Sequence, residues 1–337
     1  MSARVTWLLP VRNGMPYLPE TLASIEAQTY RQWEVLAWDN GSTDGTLEEL
    51  QRWIPGRLPG RVVRDRPMGL GASLAAMVEE ARTEYCARID ADDVNLPRRL
   101  ERQVAALDAN PRLAVVGSQV VNIDENGEIR WFQWRRPVTH EDLVLFFVRG
   151  SPIPHPSALL RREAVLGVGN YRDVKPVEDY DLWMRLAKRY ELGVLDEVLL
   201  RYRIHDQSVS QSAKAAGTLQ APTLACFLEH AGDLFGCRPE SLRSLHLRRH
   251  KCTFLGWLRV AWLLERRRRI GLLRRIRSET FIASGRFLTP DWDLFSRALF
   301  HLLRKVQVQI YPRLELAEGR VVCLMPRPGE YQPLEVG

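Results

Sequence analysis

Three acidic clusters carry the chemistry open to this chain. Asp39 stands in Trp38-Asp-Asn-Gly-Ser-Thr-Asp-Gly-Thr46, three carboxylates crowd into Asp90-Ala-Asp-Asp93, and a third group opens Glu178-Asp-Tyr-Asp-Leu-Trp183. At Asp39 an apolar run gives way to a turn, and a carboxylate there can accept hydrogen bonds from the imide of a uracil ring or from a ribose hydroxyl. Ser42, Thr43 and Asp44 suit the cap of the next helix, a task that does not need Asp39. Asp90, Asp92 and Asp93 repel one another unless a cation neutralises them, and a divalent ion held there can carry a diphosphate and offset its charge as it leaves. An isolated Asp-x-Asp is commonly a solvated turn; its position directly after an apolar strand favours the metal reading. Acids at Glu178 and Asp179 suit a helix start, and one of them can act as general base toward an acceptor hydroxyl. His205 alone reads as structural, and beside the acids as a late third ligand to the ion.

These groups meet only if the chain delivers them to one crevice. Apolar runs and amphipathic stretches alternate: strands over Val5 to Leu9, Trp33 to Trp38, Arg61 to Val63, Tyr85 to Ile89 and Leu113 to Val121. Helices fall between them over Leu18 to Gln28, Thr46 to Trp53, Leu70 to Ala81 and Leu96 to Leu107. Such alternation specifies an α/β fold, a mostly parallel, Rossmann-like sheet flanked by helices, with ligands at the strand ends. From Gly127 to Pro156 turn residues loosen the pattern, as an acceptor-facing surface would. A helix follows over Asp179 to Tyr190, then short strands over Leu192 to Leu195 and Val198 to Tyr202. Beyond Ser212 the chain is expected to be helical, basic and rich in Leu and Trp, ending in a Pro-containing tail from Pro326.

Charge marks a boundary near the same point. Residues 1–212 carry 27 Lys and Arg against 30 Asp and Glu, whereas residues 213–337 carry 21 against 11. A basic second part is expected to meet something anionic, a membrane surface or a nucleic acid, or else to be a solvated helical face. Phe254, Leu255, Leu258 and Trp262 recur at helical spacing before Arg266 to Arg269, a pattern that fits a membrane interface and equally a packed stripe. The apolar stretch Thr253 to Leu264 is too short to span a membrane and is broken by Arg259. Five scattered cysteines without a Cys-x-x-Cys pair point to a reducing, cytoplasmic compartment.

Taken in order, Leu9-Pro-Val-Arg-Asn-Gly14, Gln28-Thr-Tyr30, Asp39 to Thr46, Arg88-Ile-Asp-Ala-Asp-Asp93 with Leu96-Pro-Arg-Arg-Leu100, His155-Pro-Ser157, Glu178 to Trp183 and Tyr202-Arg-Ile-His205 resemble family 2 glycosyltransferases of the GT-A fold. The resemblance covers about the first 210 residues. It implies an inverting transferase that moves a sugar from a nucleotide-diphosphate donor, a UDP-sugar being expected, to an acceptor hydroxyl in glycan or cell-envelope polysaccharide synthesis. By the same resemblance Mn²⁺ or Mg²⁺ is the cofactor, with Asp92, Asp93 and His205 as ligands and Asp92 foremost. Pro10, Val11, Asp39, Asp90, Asp92 and Asp93 would line the donor site, His155 and Trp183 would shape the sugar and acceptor pocket, and Asp179, with Glu178 beside it, would be the base. One departure is Leu74-Ala75, where many members carry a Leu-Asn pair, which leaves the donor sugar open.

The domains expected are therefore a GT-A transferase over residues 1–212 and a basic, mainly helical region over residues 213–337. The acceptor expected is a carbohydrate or a lipid-linked one, met by a protein peripheral to the cytosolic membrane face; a nucleic-acid partner is not expected. Two rival readings remain. A nucleotidyltransferase would favour repeated glycines after the first strand, which Pro10-Val-Arg-Asn-Gly14 lacks, and a silent nucleotide-binding scaffold would have no need of Asp92, Asp179 and His205 together.

Overall fold

Val5–Val11 buries all seven residues and forms β1, as a strand covered on both faces must. The structure is a computed structural model, and it describes residues 2–64, 67–132, 136–205, 208, 217–247, 313–317 and 320–324. β1 pairs in parallel with β2 (Trp33–Asp39) on one side and β4 (Tyr85–Arg88) on the other, and β3 (Gly60–Arg64) lies outside β2. A Cβ on Gly60 would stand 2.0 Å from the Val35 carbonyl oxygen, so this close strand entry requires glycine. The crossovers are α1 (Leu18–Glu26), opened by a proline in its first turn, α2 (Thr46–Trp53) and α3 (Leu70–Glu80). The register sets Val11 beside Asp39, so β1 and β2 end at one edge and open the crevice there.

The second half departs from simple alternation. After β5 (Val94–Asn95) and α4 (Arg99–Ala109) comes β6 (Leu113–Ile123), which hairpins with β7 (Ile129–Phe132). Then follow α5 (His140–Phe146), a single 3-10 turn at His155–Ser157, β8 (Leu159–Arg161), α6 (Arg162–Gly167), α7 (Glu178–Ala187) and β9 (Glu191–Arg203). β8 slots antiparallel between β4 and β6, and β9 runs parallel to β6, giving the order β3-β2-β1-β4-β8-β6-β9-β5. The two short strands expected at Leu192 to Tyr202 are one strand, because β6 supplies a continuous partner that absorbs register shifts between Ser118 and Val120. α4 starts at Arg99 rather than Leu96, since Leu96 N is bonded to Leu199 O next to β5.

α8 (Gln220–Phe235) and α9 (Glu240–Leu247) are helical as expected. They fold with the first compact unit, which runs through Leu247, so residue 212 falls inside it. Within residues 248–337 the described elements are β10 (Arg313–Ala317) and β11 (Arg320–Leu324), an antiparallel hairpin in a region expected to be mainly helical. The stripe from Phe254 to Arg277 and the tail from Pro326 lie outside the described residues. Among the described residues no helix is long and apolar enough to cross a membrane.

The core of the first unit packs Trp7, Leu9, Ile25, Leu100 and Val104 between sheet and helices. Three arginines are buried with it. Arg88, Arg99 and Arg203 rank among the largest fully buried side chains, and all three stand under the acidic loop that follows β4.

Candidate active site

Asp39, the last residue of β2, is fully buried. Its Oδ1 accepts from Ser42 N at 3.2 Å, while Oδ2 is buried with no hydrogen-bond partner among the described residues. The following turn is occupied elsewhere. Ser42 Oγ accepts from Asn13 N (2.9 Å), Thr46 Oγ1 from Gly14 N (2.8 Å) and Asp44 Oδ2 from Met15 N (3.0 Å), while Thr43 N donates to Asn13 Oδ1 (2.9 Å). Asn13 takes φ +53°, a left-handed conformation that asparagine tolerates. The turn thus ties the ends of β1 and β2 together. Pro10 and Val11 are buried at the same edge, with Val11 O accepting from Asn40 N at 2.8 Å.

At the Asp90 to Asp93 loop the three carboxylates face different ways, although one oxygen from each lies within 4.8 Å of the others. Asp90 pairs with the buried Arg88 guanidinium. Asp92, about a quarter exposed, meets His205 Nε2 at 2.8 Å. Asp93 turns inward: Oδ1 accepts from Arg203 N at 2.8 Å and Oδ2 is buried without a partner among the described residues. Burial, followed by the charges of Asp92 and Asp90, pushes the Asp93 carboxyl well above the usual range. Asp90 is pushed up by burial in the same way, against the opposing charge of Arg88. Arg203 holds the loop from below, donating from Nε to Asp92 O (2.8 Å), from Nη1 to Asp124 O (2.9 Å) and Glu125 O (3.1 Å), and from Nη2 to Glu20. The Tyr17 ring lies 4.7 Å from the Arg203 guanidinium carbon and 5.0 Å from the His205 ring, closing this side.

α7 begins at Glu178, and its first turn splits its acids among three environments. Asp179 is partly exposed and accepts from Ser151 Oγ at 2.8 Å. Burial raises its carboxyl and the serine bond opposes the rise. Glu178 is buried, and burial followed by the charge of Asp179 pushes it up to about 7. Its neighbours are Arg88, felt through its charge, and His155, 4.0 Å away. The His155 Nε2 meets Tyr171 OH at 3.0 Å, and burial, then the Arg88 charge, keeps the imidazole neutral. Asp181 faces away from this group, fully buried, and joins α7 to α8. His230 Nε2 lies 2.9 Å from it, Arg185 Nε donates at 2.8 Å and Arg172 Nε at 3.1 Å; against the burial cost these bonds hold its carboxyl far below the usual range.

Trp183 differs from the expectation of a pocket-lining residue. It is wholly buried, donates to Ile153 O at 3.3 Å and meets His155 edge-on at 5.8 Å, so it backs the loop before the 3-10 turn rather than facing the crevice. At the Leu-Asn departure, Leu74 is buried and Ala75 O accepts from Asn170 Nδ2 at 2.9 Å. Ser151, Tyr171 and Glu20 carried no signal in the sequence. Arg203 did, since it lies inside Tyr202-Arg-Ile-His205 without having been given a role.

The model of glycosyl transferase family 2 matches residues 6–167. The amylovoran biosynthesis glycosyltransferase AmsE of Erwinia amylovora is 29% identical over 197 residues, 58% of this chain and 73% of its own. EpsE of Bacillus subtilis (strain 168) is 31% identical over 208 residues, 59% of this chain and 73% of its own. The O-antigen biosynthesis glycosyltransferase WbnJ of Escherichia coli is 29% identical over 231 residues, 67% and 89% of the two chains. The chain belongs to glycosyltransferase family 2, whose work is sugar transfer from a nucleotide-sugar donor. Among solved structures, residues 1–349 of S. aureus TarS with UDP-GlcNAc superpose with a TM-score of 0.58 at 17% identity, covering 97% of this chain and 98% of that one. The mannosyltransferase PcManGT of Pyrobaculum calidifontis, in complex with GDP-Man and Mn²⁺, gives 0.50 at 19%, covering 85% and 80%. At such identities the likeness shows the fold, the GT-A type.

Proposed function

We propose that this transferase uses a UDP-sugar, binds Mn²⁺ or Mg²⁺, and inverts the anomeric carbon in one displacement on an acceptor hydroxyl of a growing cell-surface polysaccharide. The observation that carries the reading is the separation of roles among the acids: Asp92 paired with His205 at one place, Asp179 held by Ser151 at another, and Asp39 with a free buried oxygen at a third. That oxygen suits the imide N–H of uracil, with Pro10 and Val11 beside it. The donor set fits a hard divalent ion, since carboxylates raised by burial, and then by one another's charge, gain from a cation. Asp92 and His205 would hold it with Asp90 alongside, and Asp93, anchored to β9, would contribute its inward oxygen or simply fix the loop. Such an ion supplies charge compensation for the departing diphosphate.

The protein's own groups do the rest. Asp179, the more exposed of the helix acids, takes the acceptor proton, while buried Glu178 holds its proton near neutrality and limits the charge beside the base. His155 and Tyr171 close the floor between α7 and Arg88. The relatives AmsE and WbnJ, named for amylovoran and O-antigen synthesis, support a polysaccharide acceptor. A lipid-linked acceptor and a peripheral place on the cytosolic membrane face belong to the same proposal, through the basic region.

Asp179→Asn is the test. Transfer should fall by more than about a thousandfold while UDP affinity by calorimetry stays within about twofold. Chelation should stop the unsubstituted enzyme, with Mn²⁺ restoring it, and Asp92→Ala should not be restored. Transfer by Asp179→Asn within about tenfold of the unsubstituted enzyme would remove the base assignment, and activity surviving chelation would remove the ion.

A further inference from the structure

The start of α3 and the stretch leading into α7 lie closer together than a side chain at Gly69 or Gly71 would allow. A Cβ on Gly71 would collide with Arg172 O, and one on Gly69, the residue before the helix, would collide with Asp173 Oδ1 and stand 2.8 Å from Lys175 Nζ. A carboxylate and an ammonium group therefore meet over one bare glycine. Both residues are exposed, and among the described residues neither head has a hydrogen-bond or ion-pair partner. Their surroundings, by contrast, are fixed. Asn40, directly after Asp39, accepts from Met68 N at 3.4 Å and donates from Nδ2 to Ser73 Oγ at 3.0 Å, which ties the start of α3 to the proposed uracil end. On the other side Asn170 Nδ2 donates to Ala75 O at 2.9 Å, Arg172 pairs with Asp181 and Glu229, and α7 opens at Glu178, three residues beyond Lys175. Asp173 and Lys175 thus stand on the stretch that joins the nucleoside end of the crevice to the base, and a single displacement puts the transferred sugar between those two places.

We propose that Asp173 and Lys175 recognise the sugar being transferred through two adjacent ring hydroxyls, so that the donor is a hexosyl nucleotide hydroxylated at both positions rather than a deoxy sugar. An ionised carboxylate only accepts and an ammonium group only donates, and a vicinal diol offers one hydroxyl to each. Hydrogen bonds to charged groups are the strong ones, and a sugar that lacks one of the hydroxyls leaves a charged head without its partner. Glycine at position 69 leaves room for both heads on the sugar side of α3. The inference rests on the UDP-sugar reading and on Asp179 as the base, and it specifies the donor of that same site.

The test is calorimetry on the full-length protein with Mn²⁺ present. UDP, UDP-glucose, UDP-galactose and UDP-GlcNAc are titrated first, and the tightest UDP-sugar is then compared with its 3-deoxy and 4-deoxy analogues. The quantity read is the ratio of the Kd of each analogue to that of the parent sugar nucleotide. The unsubstituted protein should give a ratio of about ten or more for at least one analogue. Asp173→Ala and Lys175→Ala should each bring that ratio to within about threefold of one, with UDP itself bound as before. Gly69→Ala should do the same with its melting temperature nearly unchanged, because its methyl displaces only the ends of two flexible side chains. The control Glu197→Gln, a residue paired with Arg102, should keep the full ratio. Ratios near one for both analogues in the unsubstituted protein overturn the proposal, as does a ratio unchanged in either alanine variant. A loss of UDP affinity equal to the loss of UDP-sugar affinity also overturns it, by giving the pair to the nucleotide. Failure of the underlying reading shows separately, as no binding of any UDP-sugar, or as transfer retained by Asp179→Asn while the ratios stand.

Discussion

Removing one hydroxyl should displace the pH profile of the reaction without displacing the substrate. In Ser151→Ala, Asp179 loses the bond from Ser151 Oγ at 2.8 Å, which favours its charged form. A hydrogen bond to a charged acceptor contributes about 1.5 to 3 kcal/mol, but Asp179 is partly exposed and water replaces part of the loss, so about 1 kcal/mol is the reasonable net figure. At 1.36 kcal/mol per pH unit, the acid limb of kcat should move upward by somewhat under about one unit. The sign follows from the role: the base works deprotonated, the variant holds its proton to higher pH, and the rate therefore recovers later as pH rises. Above that limb the variant should turn over nearly as fast as the unsubstituted enzyme. The assay is UDP release coupled to acceptor consumption, at saturating donor and metal, in steps of half a pH unit. An unmoved acid limb with a normal plateau would mean that the titrating group is not Asp179 or that the Ser151 bond does not form in solution.

Glu178 is raised from its usual 4.5 to about 7, so its stability contribution is complete below about pH 4.5 and is lost as pH rises through about 7. Glu178→Gln should accordingly match the unsubstituted protein at pH 4 and, in chelator, exceed it at pH 8 by on the order of 2 to 3 kcal/mol, read by thermal denaturation; equal melting curves at pH 8 would count against the buried proton. Arg203→Lys keeps one charge but cannot serve Asp92 O, Asp124 O, Glu125 O and Glu20 together, and Mn²⁺ affinity by electron paramagnetic resonance should fall by roughly tenfold. Unchanged Mn²⁺ affinity in a folded variant would limit Arg203 to a structural part.

The first half of the fold was legible because its period was clean. α2 occupies Thr46–Trp53 as the pattern predicts, and β1, β2 and β4 follow uninterrupted apolar runs. β8 was not legible: three residues between a proline-rich turn and α6 become a strand only because β4 and β6 offer edges on both sides. The site divides in the same way. Spacing shows that Asp90, Asp92 and Asp93 are crowded, but not that Asp92 faces His205 while Asp93 faces the β9 backbone. Composition treats arginine as a surface residue, so the buried guanidinium groups under the loop could not be foreseen. By the family resemblance Trp183 was expected to shape the sugar and acceptor pocket, and only the packing places it behind the loop.

The ion-paired seam between α7 and α8 decides where a minimal working fragment can end. Asp181 is wholly buried because His230 covers it, and Arg172 is shared between Asp181 and Glu229, both partners beyond residue 212 coming from α8. A chain cut at residue 212, where charge and motif both suggest a stop, would strip His230 and Glu229 away and leave a buried carboxylate and two arginines facing solvent, two residues from the proposed base. Losing one partner of a buried charge cluster commonly costs several kcal/mol, about 3 to 5. Shortening the protein to Leu247 keeps the seam closed, so α8 belongs to the catalytic body as a brace for the helix that carries Asp179.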